Sequence, residues 1–142
     1  MLDRFHSFVA GIAECHRYIQ RIKSAEMTEF GLKGTHVMCI FFLNRSADGL
    51  TAAQLSQQCG EDKAAISRSL ALLQERGYIC AEDKKYRALI RLTPAGQELA
   101  ARVDTLIERW VGLGGDGLSD EERETFYRVL EQISSNLRKR ME

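Results

Sequence analysis

The sequence has few of the features that mark secreted, membrane or disulfide-rich proteins. Its 142 residues include one proline and four cysteines, and the cysteines form no CxxC motif and no paired spacing. No segment approaches the ~20 consecutive apolar residues of a membrane span. The N-terminal stretch MLDRFHSFVAGIAE has acids and bases inside its apolar pattern, unlike a signal peptide. These absences predict a cytoplasmic protein with reduced thiols and no membrane partner.

An excess of charge of either sign is also missing. The 20 Lys and Arg residues balance 20 Asp and Glu residues, so the formal net charge is zero. Whole-chain electrostatics therefore neither favour nor exclude a polyanionic partner, and any argument for nucleic acid must be local. A chain of 142 residues can form one domain with a substantial core, and we expect a single domain over residues 1–142.

Motifs of catalysis are absent as well. The sequence contains no phosphate loop, no HExxH, no nucleophile elbow and no pair of carboxylates on a β-scaffold. The three histidines, His6, His16 and His36, lack the close spacing of metal ligands. We therefore expect a protein that is not an enzyme and that binds no metal and no cofactor.

Apolar periodicity predicts a mainly α protein that begins with two helices. Apolar residues recur every three or four positions from Leu2 to about Met27, which indicates a long first helix. Thr35 is placed to cap a second helix. Its segment HVMCIFFLN is apolar on nearly every side, so this helix should be buried.

Two more helices are predicted in the last third of the chain. Thr93 and Pro94 form a cap and a first helical turn, and the helix they start should run to about Val111, where GLGGDG interrupts it. Ser119 and Glu122 then repeat a capping-box pattern, which starts a helix that reaches the basic end RKR.

The middle of the chain has the signals of a helix-turn-helix. Thr51 and Gln54 form a capping box, and Gly60 ends the helix that they start. Asp62 then caps a second short helix, and Gly77 ends it. Two short helices at a tight turn, the second amphipathic, are typical of a helix-turn-helix.

A small β-hairpin, or wing, is predicted directly after these helices. Residues 78–81 form a β-type run, EDKK forms a polar turn, and residues 86–92 alternate with a period of two. Cationic residues cluster at the predicted tip, where they can reach a DNA backbone or minor groove: Lys84, Lys85 and Arg87. The alternative is an ordinary solvated turn.

The second short helix, DKAAISRSLALLQERG, has an unusual face opposite its apolar stripe. That face is small or cationic and carries no acid before Glu75; its residues are Ala64, Ser67, Arg68 and Ala71. The major groove of DNA is about 12 Å wide and admits a helix whose leading face is neither bulky nor anionic. The sequence therefore predicts a recognition helix. The alternative is an amphipathic helix in a winged helix that binds protein.

Several residues are candidates for DNA contacts. Arg68 is best placed for a bidentate bond to guanine, and Ser67 or Ser69 could bond a base edge or a phosphate. Lys63 and Ala64 lie at the helix start, which reaches the bases first in this motif. Thr51 is assigned to the DNA backbone. Residues 51–92 carry seven cations against five acids, so affinity must come from where the charges lie.

Four segments in order resemble the MarR family of transcriptional regulators: LTAAQLS, DKAAISRSLALLQERGYI, DKKYRALIRLTPAG and GLSDEERETFYRVLEQISSNL. The resemblance implies a winged helix-turn-helix over residues 48–92 and a helical dimerisation region over residues 1–30 and 93–142. It implies a homodimer on palindromic DNA, with Ser67 and Arg68 in the major groove and Arg87 in the minor groove. The wing is about three residues shorter than is usual in the family.

The pattern of the long helices also favours a dimer. Each keeps an apolar stripe that a winged helix covers only in part. The residues expected to need a partner are Leu99, Val103, Leu106, Trp110, Phe126, Ile133 and Leu137.

Together these observations predict a sequence-specific DNA-binding regulator, a repressor released by a small-molecule or oxidant effector. The alternative is a winged-helix module for protein interaction without DNA binding. Some members of the family sense peroxides through a cysteine in the first helix, and Cys15 lies beside His16 and near Arg17. Cys15 is thus a candidate redox sensor, although a buried apolar role is the commoner one for cysteine.

Overall fold

The computed structural model describes residues 1–82 and 88–141. This part of the chain forms six α-helices, one 3₁₀ turn, Thr28–Phe30, and two short strands. Their bounds are α1 Leu2–Met27, α2 Gly34–Asn44, α3 Ala52–Cys59, α4 Lys63–Glu75, β1 Ile79–Ala81, β2 Ile90–Leu92, α5 Pro94–Gly114 and α6 Asp120–Met141. The fold is mainly α with a small hairpin, as predicted.

The chain divides into two compact units, Met1–Leu106 and Ile107–Glu142. Within the first unit α2 is central, since it packs against α1, α3, α4 and β2. Its residues Cys39 and Ile40 are completely buried, which confirms the prediction of a buried second helix. The core around it is aliphatic and includes Met27, Leu55, Ile66, Leu73, Ile79, Ile90 and Val103.

The start of α2 differs from the prediction. The helix begins at Gly34 with Lys33 as its N-cap, so Thr35 lies within the first turn and does not cap it. Instead, the Nδ1 atom of His36 accepts a hydrogen bond from the Lys33 backbone N–H at 2.8 Å. The prediction for Thr35 was wrong because the helix begins one residue earlier, and the imidazole of His36, three residues after Lys33, accepts the N–H of the N-cap.

The helix-turn-helix signals are confirmed. The Gln54 backbone N–H donates to Thr51 Oγ1 at 3.2 Å, and the Thr51 N–H donates to Gln54 Oε1 at 2.9 Å. Gly60 ends α3 in the left-handed conformation with φ 65°. At the end of α4, the Tyr78 N–H donates to the Leu73 carbonyl, and left-handed Gly77 turns the chain towards β1.

The base of the wing is a two-stranded antiparallel sheet in which Ile79 pairs with Leu92 and Ala81 with Ile90. Leu50 adds two backbone hydrogen bonds to Ile90, at 2.8 and 3.0 Å. Of the alternating residues that the structure describes, Ala88 and Leu89 lie outside the strand, since β2 begins at Ile90. Residues 83–87 lie outside the described part of the chain.

The wing also joins the first turn of α5. Thr93 caps this helix through a bond from the Gly96 N–H to its Oγ1 atom, and the Thr93 N–H donates to the Tyr78 carbonyl at 3.0 Å. Gly96 lies so close that a Cβ there would collide with that same carbonyl oxygen and lie 3.3 Å from Leu92 Cβ. Hence only glycine fits this position without movement of β1.

The ends of the last two helices are partly as predicted. α5 continues three residues beyond Val111 to Gly114, because isolated glycines cost a helix only about 1 kcal/mol each and do not always end it. The predicted capping box of α6 is confirmed, since the Ser119 N–H donates to Glu122 Oε2 at 2.8 Å and Ser119 Oγ accepts from the Glu122 N–H at 3.2 Å. The division into winged helix and dimerisation region stays a prediction.

Candidate nucleic-acid interface

The turn between α3 and α4 fixes the position of the candidate recognition helix. Asp62 Oδ1 accepts a hydrogen bond from the Ala65 N–H at 2.7 Å, which caps α4. One residue earlier, the Glu61 carbonyl accepts a bond from the Ser56 hydroxyl at 2.6 Å. Ile66 and Leu73 on the inner face of α4 are almost completely buried, so the opposite face is held outwards.

The outward face of α4 matches the predicted one. Its residues are exposed: Lys63, Ala64, Ser67, Arg68 and Ala71. Among the described residues, no carboxylate forms an ion pair with Lys63 or Arg68. From Lys63 the helix carries no acid until Glu75, so its N-terminal half presents two cations, a hydroxyl and methyl groups. These groups suit hydrogen-bond acceptors in a groove about 12 Å wide.

Ser69 is an exception among the predicted DNA contacts. Its exposure is only 4 %, because it lies three residues after Ile66 and four before Leu73 on the inner face of α4. The assignment of Ser69 to DNA was therefore wrong. The signal was present in the sequence, since positions 62, 66, 69 and 73 follow one helical stripe.

Thr51 is half-buried, and its hydroxyl makes two hydrogen bonds with Gln54. The hydroxyl oxygen accepts from the Gln54 backbone N–H, and the hydroxyl donates to Gln54 Oε1 at 3.2 Å. Its proposed contact with a DNA phosphate stays a prediction. The three wing residues Lys84, Lys85 and Arg87 lie within residues 83–87, outside the described part of the chain, and their assignment also stays a prediction.

Two other cations of the winged helix have structural partners, which the sequence did not reveal. Arg91 Nε lies 3.2 Å from Glu82 Oε1, and its Nη1 donates to the Ala47 carbonyl at 3.1 Å, so it ties the hairpin to the loop before α3. Arg76 donates to the Phe30 carbonyl. Lys63 and Arg68 are thus the cations of α4 that remain available to a ligand.

The four cysteines are free thiols in the structure. Cys15 and Cys80 are exposed, Cys59 is half-buried and Cys39 is buried. Exposure removes the buried apolar role for Cys15, but its reactivity stays a prediction. In residues 1–82 and 88–141, no three His, Cys, Asp or Glu side chains are grouped to hold a metal ion. No helix in the same ranges combines the length and apolar character of a bilayer crossing.

The residues expected to need a dimer partner differ in how far the protomer itself buries them. Leu99 and Val103 are 4 % and 1 % exposed, because α5 packs them into the core of the first unit, and the prediction for these two was wrong. Leu106, Trp110 and Ile133 are half-buried. Large apolar side chains do remain exposed on α6, among them Phe126, Val129 and Leu137, and on the first half of α1, among them Phe5, Phe8, Val9 and Ile12.

A capped helix-turn-helix whose second helix presents an exposed cationic face, followed by a hairpin, defines a winged helix-turn-helix protein. Comparison with known proteins shows which family this chain is similar to. The sequence model of the MarR family matches residues 30–85. This segment is similar to the MarR family, and the whole chain has the fold of MarR-family transcriptional regulators.

Several solved structures share this fold over nearly the whole chain. A MarR/EmrR-family transcriptional regulator from Acinetobacter sp. ADP1 is 24 % identical, with 98 % of this chain and 99 % of that chain covered and a TM-score of 0.83. A MarR-family regulator from Silicibacter pomeroyi is 26 % identical, with coverages of 93 % and 86 % and a TM-score of 0.72. A third, from Listeria monocytogenes and complexed with 26mer DNA, is 20 % identical, with coverages of 91 % and 87 % and a TM-score of 0.80.

Proposed function

We propose that this chain is a transcriptional regulator that binds double-stranded DNA sequence-specifically through α4. The observation that carries the proposal is the exposed outer face of α4, where Lys63 and Arg68 form no ion pair with a described residue and no acid precedes Glu75. Arg68 is the residue proposed to read guanine, Ser67 to bond a base edge or phosphate, and Lys63 to contact the backbone. The protein of the same fold that is complexed with 26mer DNA supports binding to DNA, although it does not identify the residues.

The acting form is proposed to be a homodimer on a palindromic operator. Phe5, Phe8, Val9 and Ile12 recur at helical spacing on α1 and are between 41 and 65 % exposed. A contiguous apolar stripe of this kind marks an interaction surface. A symmetric partner would place two α4 helices in successive major grooves about 34–36 Å apart, and the wings of both copies would reach the flanking DNA.

Regulation is proposed to be repression that a small-molecule or oxidant effector releases. Two recognition helices bind together only when their separation matches one duplex turn. An effector that binds a different separation better would therefore lower the affinity for DNA by its own difference in affinity between the two arrangements.

The test begins with footprinting on the DNA that flanks the gene of this protein, at several salt concentrations. A two-fold symmetric footprint that weakens steeply with salt is expected, because phosphate contacts release counterions. Binding of the Arg68→Ala variant to that site, followed by fluorescence anisotropy, should weaken by about 5- to 150-fold, which corresponds to ~1–3 kcal/mol.

Arg140→Ala is the matched control, since Arg140 is an exposed arginine at the end of α6, and it should leave the affinity unchanged. Random DNA provides the second control, because loss of a base contact should weaken binding to the specific site only. An equal loss on random DNA would remove Arg68 from base recognition. Absence of any salt-sensitive binding would favour the winged helix as a protein-interaction module.

A further inference from the structure

The end of α4 is bonded to the 3₁₀ turn that follows α1. Arg76, the C-cap residue of α4, donates a hydrogen bond through Nη1 to the Phe30 carbonyl. Phe30 is the last residue of that turn, which continues directly from the end of α1 at Met27. The last carbonyls of a helical segment have no partner within it, so the Arg76 guanidinium satisfies one that the turn itself cannot.

The backbone at Gly31 makes room for this guanidinium. Gly31 has a left-handed φ of 62°, and a Cβ there would lie 2.8 Å from Arg76 Nη1 and 3.1 Å from Nη2. Any side chain at this position would therefore displace the guanidinium. The turn itself is held by backbone bonds, since the Gly31 N–H donates to the Thr28 carbonyl at 3.0 Å and the Leu32 N–H to the Met27 carbonyl at 3.1 Å.

The turn is anchored on both sides, so it offers α4 a fixed point. Met27 and Leu32, which flank it, are 2 % and 4 % exposed and belong to the core. A second arginine, Arg102 of α5, places its Cζ atom 5.1 Å from the centroid of the Phe30 ring, within the range of a cation–π contact. The Arg76 hydrogen bond therefore joins α4 to a segment that α1 and α5 already hold.

This hydrogen bond lies at the opposite end of α4 from the proposed DNA contacts. Arg76 follows Lys63 by 13 residues, which is about 20 Å along a helix axis. A rotation of about 5° at the bonded end therefore moves the start of α4 by about 1–2 Å, which is enough to break a bond to a base edge. Apolar packing of Ile66 and Leu73 holds α4 on the core but is not directional, so the hydrogen bond adds a constraint on its tilt.

We propose that Arg76 is a positioning residue that fixes the tilt of α4 relative to α1 and thereby sets the half-site spacing that the homodimer selects; the effect on spacing rests on the proposed function. α1 carries the apolar stripe proposed to bind the second protomer, and the 3₁₀ turn continues α1 directly. The path from the partner to the recognition helix therefore runs through α1, Phe30 and Arg76. In a symmetric dimer a change of tilt occurs in both copies, so its effect on their separation is doubled.

The effect on spacing is tested with the operator found by footprinting and a second operator that has one base pair inserted between its half-sites. The insertion lengthens their separation by about 3.4 Å and rotates one of them by about 35°. The parent chain should prefer the first operator. Arg76→Gln, which has a shorter side chain and no charge, should reduce this preference by about 5-fold or more, the lower end of usual couplings. Arg76→Lys keeps a cationic donor and should retain most of the preference.

Three further variants separate positioning from charge, from strain and from base contact. Gly31→Ala keeps every charge but displaces the guanidinium, so it should reduce the preference as Arg76→Gln does. Gly117→Ala is its matched control, since Gly117 is also left-handed, with φ 79°, and has no atom of the described residues within 4 Å of its Cβ position. Arg68→Ala should weaken binding to both operators by the same factor. An unchanged preference in both Arg76→Gln and Gly31→Ala, or equal weakening on both operators, would overturn the proposal.

The hydrogen bond itself has a readout that needs no DNA. Hydrogen exchange of the Gly31 and Leu32 amides should be about 5-fold faster in Arg76→Gln than in the parent, because the turn loses one of its bonds. Arg140→Ala should leave both rates unchanged, and circular dichroism establishes that each variant is folded. Equal exchange in Arg76→Gln and the parent would overturn the positioning role. If the parent binds no DNA, the proposed function fails, while the exchange rates still decide whether Arg76 holds the turn.

Discussion

The helix-turn-helix and the long helices at the two ends of the chain differ in how much of their apolar surface is buried within one protomer. α2, α3 and α4 bury aliphatic side chains within the protomer, and α2 alone buries Val37, Cys39, Ile40 and Leu43. α6 contains no buried side chain, and α1 contains only Met27 among its 26 residues. The difference teaches that one protomer completes the core of the winged helix, whereas the long helices leave apolar surface exposed.

Local signals do not account for this difference. α4 is capped by Asp62 and α6 by Ser119, each through a side-chain oxygen that accepts a backbone N–H. Both helices are amphipathic, so their sequences predict helices of similar quality. Whether an apolar stripe is covered depends on the rest of the fold, which caps and periodicity do not encode.

The largest expected effect concerns the uncovered surface of α1. Phe8→Glu places a charge within the exposed apolar stripe, and we expect it to raise the dissociation constant of the homodimer by about 30-fold or more, as for an apolar anchor worth ~2 kcal/mol. Sedimentation equilibrium measures this constant. Ser7→Glu introduces the same side chain on the opposite side of the helix and should change it little. If both variants dimerise like the parent, α1 is not the interface.

A smaller effect is expected where the wing joins α5. Gly96→Ala should lower the free energy of unfolding by ~1–3 kcal/mol. Its methyl group would collide with the Tyr78 carbonyl oxygen, and the collision can be relieved only if the backbone moves. Gly112→Ala is the matched control in the same helix. It has no neighbouring atom within 4 Å and should stabilise the chain by up to about 1 kcal/mol. Urea denaturation measures both; equal changes would show that Gly96 is not constrained by packing.

The smallest effect is a pH dependence within the well-packed region. Burial, and then the charges of Lys33 and Arg76, lower the pKa of His36. The unfolded chain therefore takes up this proton first, and the stability that neutral His36 contributes is complete above its unfolded pKa of about 6.5 and is lost as the pH falls below it.

His36→Gln keeps an acceptor at the third helical position and cannot titrate, so its free energy of unfolding should fall less between pH 7 and pH 5 than that of the parent. Denaturation curves at the two pH values give the comparison. A steeper loss in the variant would mean that His36 is stabilised in its protonated form.

Much of the fold could be predicted because its signals are local. The Thr51 and Gln54 capping box, the Asp62 cap and the left-handed glycines at 60 and 77 depend on residues a few positions apart. The outer face of α4 was predicted for the same reason, since helical geometry alone places Ser67 and Arg68 on it.

What failed depended on partners that are distant in sequence. Leu99 and Val103 are covered by the core of the first unit, which no property of α5 alone reveals. Arg91 is one of the seven cations counted between residues 51 and 92, yet Glu82 and the Ala47 carbonyl engage it. Ser69 failed for another reason. Its position on the apolar stripe of the helix indicated burial, but it was assigned to DNA because its side chain is polar.

The close approach of Gly96 to Tyr78 has a mechanical consequence. The Tyr78 carbonyl, directly before β1, lies against the first turn of α5, and no methyl group would fit between them. The Thr93 N–H donates to the same carbonyl, so the hairpin and the start of α5 should move together as one rigid piece. Any tilt of the beginning of α5 must therefore re-aim the hairpin, which couples helix orientation to the direction in which the wing points.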